Sequence, residues 1–135
     1  MTLSYLDHVN IRTAQLAPMA EFYQDVLGLG AGERPPFRFD GAWLYCGDKA
    51  AIHLVEVPQA PDTGQPRIEH FAFRAEGLAG FLARLRDRGI AYRISIVPGM
   101  ELRQVNIFDP DGNHIEIAFA AEEQADLSDY SGSGG

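Results

Sequence analysis

A chain of 135 residues is long enough to bury one core without staples, and its single cysteine, Cys46, rules out a disulfide framework. A formal charge of −8 disfavours a phosphate backbone as partner, because the eleven Lys and Arg are scattered rather than gathered into a stripe. No apolar run approaches membrane-spanning length, and with no basic and apolar leader before the first strand the expected setting is a reducing cytoplasm.

Tyr5 to Arg12 reads as a strand with Leu6, His8 and Asn10 on one face and Val9 and Ile11 on the other. A helix should follow: Leu16, Met19, Ala20, Tyr23, Val26 and Leu27 recur at helical spacing, Pro18 suits the first turn and Gly28 the residue past the end. Gly30-Ala31-Gly32 looks like a fragment of a phosphate loop. It follows a helix and leads toward a strand, the reverse of the required order, so no nucleotide site is read from it.

Arg34 to Asp40 reads as an irregular strand, with Ala42 to Cys46 as its hairpin partner around Asp40-Gly41, and Ala51 to Val57 closes the first half. Pro58 to Pro66 has the composition of a linker. The second half repeats the plan: a strand over Ile68 to Arg74, a helix striped by Leu78, Phe81, Leu82 and Leu85 and ended by Gly89, then strands over Tyr92 to Ile96, Leu102 to Phe108 and His114 to Phe119. From Ala121 the acidic and Gly/Ser-rich composition reads as a mobile tail. The expected fold is α+β, two tandem βαβββ modules over 3–57 and 67–120, with linker 58–66 between them, a single domain over 1–120 and a tail over 121–135.

The two halves also match residue by residue. Leu6-Asp7-His8-Val9-Asn10-Ile11-Arg12 aligns without a gap on Ile68-Glu69-His70-Phe71-Ala72-Phe73-Arg74, so His8 falls opposite His70. Allowing one residue of slip in the turn, the segment ending His53-Leu54 aligns on the one ending Glu116-Ile117, and His53 falls opposite Glu116. The first and last strands of each half thus carry ligand-type residues at separations of 45 and 46. This is an internal duplication.

With both halves laid out, the chain resembles the vicinal-oxygen-chelate superfamily of glyoxalase I, methylmalonyl-CoA epimerase, fosfomycin-modifying enzymes, extradiol dioxygenases and bleomycin-binding proteins. The residues that carry the resemblance are Leu6-Asp7-His8-Val9, Phe22-Tyr23-Gln24-Asp25-Val26-Leu27-Gly28-Leu29, Glu69-His70 and Asp109-Pro110-Asp111-Gly112-Asn113 leading to Glu116. It implies curled mixed sheets around a central cleft, with His8, His53, His70 and Glu116 at the four metal-ligand positions. Glyoxalase I usually presents a carboxylate or amide where this chain has His53. It further implies a homodimer, with sites inside one chain or shared by module exchange.

Two imidazoles and a carboxylate suit one divalent ion, whether zinc, iron, manganese, nickel or cobalt, acting as a Lewis acid on neighbouring substrate oxygens. Glu116 either stays bound or loosens to take a proton. His53 serves as a fourth ligand or as a base outside the metal, and His114 belongs to the surroundings of the site or to solvent. Candidates for the substrate wall are Asn10, Arg12, Arg74, Gln104, Asn106 and Trp43, with Phe37 and Phe39. The leading expectation is a metal-dependent lyase or isomerase acting on a small molecule through an enolate. The alternatives are a single-domain extradiol-type dioxygenase and a non-enzymatic drug binder, the last of which would lack the ligand set.

Overall fold

The computed structural model of the protein describes residues 1–133. Two compact units divide the chain, Met1–Gln65 and a second beginning at Pro66. The first unit contains β1 (Val9–Thr13), α1 (Leu16–Asp25), β2 (Gly30–Ala31), β3 (Gly41–Cys46) and β4 (Lys49–Glu56). The second contains β5 (His70–Arg74), α2 (Leu78–Asp87), β6 (Arg93–Ile96), β7 (Arg103–Phe108) and β8 (His114–Phe119). The architecture is α+β, two tandem βαβββ modules, each with a four-stranded mixed sheet: β1-β4-β3-β2 and β5-β8-β7-β6.

In each sheet the first and last strands of the module lie side by side and parallel, and the remaining pairs are antiparallel. This puts the two ends of the duplicated pattern in register. Asn10 faces His53 across β1 and β4, as Ala72 faces Glu116 across β5 and β8. Trp43 pairs His53 from β3 as Asn106 pairs Glu116 from β7. Because successive side chains alternate between faces, the residues that carry chemistry share one face of each sheet and the core residues share the other.

In unit 1 the core face consists of Leu44, Ile52 and Leu54, each at most 1 % exposed, and α1 packs on β3 and β4 through its buried Met19, Phe22 and Tyr23. The helix stops where expected: Gly28 takes φ 73°, a conformation costly for any residue with a Cβ. In unit 2 the buried residues are Val105, Ile107, Ile115, Ile117 and Phe119, with Leu78, Leu82 and Leu85 of α2, and Phe81 lies against Phe119 at 5.9 Å between ring centroids.

Two expectations need correction. Arg34 to Asp40 forms no strand; β3 pairs with β4 on one side and, on the other, with the short strand Gly30–Ala31. Pro35 and Pro36 remove two ladder donors, and Arg34, Phe37 and Phe39 associate with one another instead. Gly32, just beyond β2, lies so close to the Tyr45 ring that a Cβ would stand 2.5 Å from it. At the chain's start, the strand begins at Val9 rather than Tyr5, and Leu6 is exposed.

The segment expected to be an unpacked tail also makes contacts in unit 2. Its last two glycines lie outside the described residues. Tyr130 exchanges backbone hydrogen bonds with Tyr92, Asp129 accepts one from the Ile94 amide, and Glu123 accepts from the amides of Gly77 and Leu78 at 2.7–3.1 Å. The physical reason is that α2 opens on Gly77, which has no side chain to cap it, and has no acidic residue in its first turn. Glu123 supplies the missing acceptor and the charge that suits a helix N-terminus. Glu123→Ala is expected to cost about 1 kcal/mol, the usual magnitude for a lost cap, and to lower the thermal midpoint by a few degrees in a melting curve, while Glu123→Asp loses less.

Candidate functional site

Each unit presents a histidine immediately before or at the start of its first strand, and an acidic residue precedes both. Asp7 accepts a hydrogen bond from His8 Nδ1 at 2.7 Å, and Glu69 accepts a short one from His70 Nδ1. The two histidine side chains are equally presented, 38 % and 39 % exposed. Each carboxylate fixes the proton on Nδ1 and leaves Nε2 as the nitrogen with a lone pair for an ion. The partnership draws both carboxyls below their ordinary range, chiefly through the hydrogen bond from the histidine, and the bond to Glu69 raises His70. Asp7 and Glu69 were not among the predicted site residues, although the repeated acid-His dipeptide was legible in the alignment.

In unit 2, His70 Nε2 and Glu116 Oε2 lie 3.2 Å apart. Two ligands about 2.1 Å from one ion and at right angles to each other stand about 3 Å apart, so this pair matches a shared ion as well as it matches a bridging proton. Gln104 steadies the carboxylate, its Nε2 donating to Glu116 Oε2 at 3.2 Å.

His114 joins the same network from the start of β8. Asn106 Nδ2 donates to Arg93 O, Ser95 Oγ and Gln104 O, which orients Oδ1 to accept from His114 Nε2 at 2.9 Å. The other nitrogen of His114 faces Glu69 Oε1 at 3.1 Å. Glu69, His70 and His114 offer donor atoms all within 4.8 Å of one another, a second grouping of ligand-type residues that the spacing argument passed over. Asn106, one of the expected wall residues, is buried with its amide engaged in these bonds.

In unit 1 three rings form a stack. His53 lies 3.9 Å from His8 and 4.0 Å from Trp43, with both interplanar angles at 11°. Burial, and next the charge of His8, push the His53 imidazole below its ordinary pKa, which keeps it neutral near pH 7. A cavity of about 320 Å³ opens beside it, lined in part by Asp7, Trp43, Tyr45 and Lys49. Of the other predicted wall residues, Asn10 and Arg12 are exposed on the His53 face of the sheet, and Arg74, paired with Ala118, is exposed on the Glu116 face. No helix among the described residues is long and apolar enough to cross a membrane.

Comparison with known proteins agrees with this fold. The biphenyl-2,3-diol 1,2-dioxygenase 3 of Rhodococcus globerulus is 29 % identical over 138 residues, covering 93 % of this chain and 68 % of that enzyme. Among solved structures, a glyoxylase/bleomycin resistance protein/dioxygenase domain from Frankia sp. EAN1pec has a TM-score of 0.72 at 20 % identity, covering 88 % of this chain and 99 % of that one. The lactoylglutathione lyase of Agrobacterium tumefaciens has a TM-score of 0.64 at 18 % identity, covering 87 % and 95 %. At such identities the structural matches establish the fold alone. The family model for this fold spans residues 5–117, and the chain belongs to the Glyoxalase/Bleomycin resistance protein/Dioxygenase superfamily.

Proposed function

We propose that this protein is a divalent-metal-dependent dioxygenase that opens the ring of a catechol-type substrate, with His8, His70 and Glu116 as metal ligands and His53 as the base. The observation that carries the reading is the His53 stack. Lone pairs of an imidazole lie in the ring plane, so two rings 3.9 Å apart and nearly parallel aim theirs side by side rather than at a common ion. His53 is therefore assigned as a base, and the ligands reduce to two histidines and one carboxylate, a set suited to iron with open positions for substrate and oxygen.

An ion bound there would acidify two neighbouring hydroxyls and supply the electron transfers that oxygen chemistry needs. The chain's own residues do the rest. Neutral His53 accepts a proton from a substrate hydroxyl at its free ring nitrogen, and Trp43 holds the imidazole from the other side. Asp7 and Glu69 keep both histidine ligands in one tautomer, and Gln104 holds the ligand carboxylate.

The dioxygenase named among the relatives supports this reading over the lyase. So does the imidazole of His53, which replaces the carboxylate or amide that glyoxalase I usually presents there. The test is an oxygen electrode with anaerobically iron-loaded protein and catechols, beside a spectrophotometric assay on the hemithioacetal of methylglyoxal and glutathione. Oxygen uptake with a coloured ring-opened product is expected. Isomerisation of the hemithioacetal without oxygen uptake would transfer the assignment to the lyase.

A further inference from the structure

Trp43 and Tyr45 wall two cavities of unit 1. One is the His53 cavity. The other, of about 530 Å³, is lined by Glu33, Arg34, Pro35 and the same two aromatic side chains. The proposed function has no use for it.

Arg34 is held there in a defined pose. Its Nη2 donates to the Phe39 carbonyl at 2.7 Å, and its guanidinium carbon lies 5.1 and 5.2 Å from the ring centroids of Phe37 and Phe39. Those two rings stack on each other at 5.0 Å, and Phe37 reaches Trp43 at 6.4 Å. Gly41 leaves room for the arrangement, since a Cβ there would stand 3.0 Å from Arg34 Nη2 and 2.3 Å from the Leu54 carbonyl. The Tyr45 hydroxyl donates to the Glu33 carbonyl and ties the loop to the aromatic lining that the two cavities share.

Among the described residues no carboxylate lies within 4.0 Å of Arg34. A guanidinium has five N–H donors in a planar fork, and the bond to the Phe39 carbonyl uses one of them, which leaves the others for a carboxylate that enters the cavity.

We propose that this outer cavity is a second substrate subsite, which takes a carboxylate borne on a side arm of a flat aromatic substrate, with Arg34 as its counter-ion and Trp43 as the ring surface the two chambers share. The inference rests on His53 marking the reaction chamber, and it adds the substrate class: a catechol with an anionic arm. Arg34 then sets specificity and takes no part in proton transfer.

Trp43 is the only tryptophan, so its fluorescence reports on both chambers. The binding experiment titrates the full chain with 3-phenylpropanoate and with the matching uncharged amide, in the parent, Arg34→Gln and Arg34→Lys. The acid is expected to bind the parent roughly tenfold more tightly than the amide, a preference Arg34→Gln abolishes and Arg34→Lys partly keeps. A parallel assay compares kcat/KM of iron-loaded protein for a catechol with a two-carbon carboxylate arm and for its methyl ester.

Turnover of neither catechol, with the acid preference intact in fluorescence, would sink the dioxygenase reading and uphold the anion subsite. Equal binding of acid and amide by the parent, or an unchanged preference in a folded Arg34→Gln, would overturn the subsite whatever the turnover. Retention of the preference by Arg34→Lys alongside its loss in Arg34→Gln supports a charge contact over a packing role.

Discussion

Replacing His53 with glutamine is expected to lower turnover by about 10²–10⁴-fold while the metal stays in place. Glutamine keeps a flat polar end group between His8 and Trp43 but cannot take up a proton near neutral pH, so the loss falls on the step that needs the base. Burial and the neighbouring His8 lower the pKa of this imidazole, so at neutral pH it is ready to accept. The rate should therefore rise with pH through a value below the ordinary histidine range, and the variant should lose that limb. Elemental analysis beside the kinetics decides the role: loss of metal together with loss of rate would make His53 a ligand and overturn its assignment as the base.

The second large effect concerns the ion itself. His8→Ala and Glu116→Ala are each expected to emerge from a chelator-free purification with metal content far below that of the parent. Losing a group that only steadies a ligand costs roughly 10–100-fold in affinity, and losing a ligand costs more. Equal occupancy in the parent and both variants would refute the ligand set. The pH dependence has a definite sign. Glu69, chiefly, and then the charge of Glu116 raise the pKa of His70, and a proton held on its Nε2 would compete with an ion for the 3.2 Å gap to Glu116. Affinity should therefore weaken as pH falls through the raised His70 value, and direct titration with the metal ion across pH measures it.

The Glu123 contact shows why composition is a poor guide to the end of this chain. Composition describes what a segment can bury, and the acidic stretch after Ala121 has little to offer by that measure. It was held instead by specific acceptors, Glu123 at the uncapped start of α2 and Asp129 at the Ile94 amide. A partner 46 residues away cannot be inferred from the local pattern. Arg34 to Asp40 failed for a related reason: alternation of Phe37 and Phe39 mimicked a strand, whereas two prolines and the stacked rings made a loop with contacts of its own.

What the sequence determined by itself was the repeat and its consequences. Alternation in β1, β4, β5 and β8 placed His8, His53, His70 and Glu116 at equivalent stations, and the parallel pairing of first and last strand in each unit preserved that equivalence in register. Helix periods and the glycines after them set both helices to within a few residues. Only the tertiary structure decided what each of those side chains touches: the His8–His53–Trp43 stack, the carboxylates behind His8 and His70, the exposed Arg34 loop. Periodicity fixes the face a residue occupies, because it follows from backbone geometry alone; its ring partner, its hydrogen-bonded nitrogen and its pKa depend on strands brought together from distant parts of the chain.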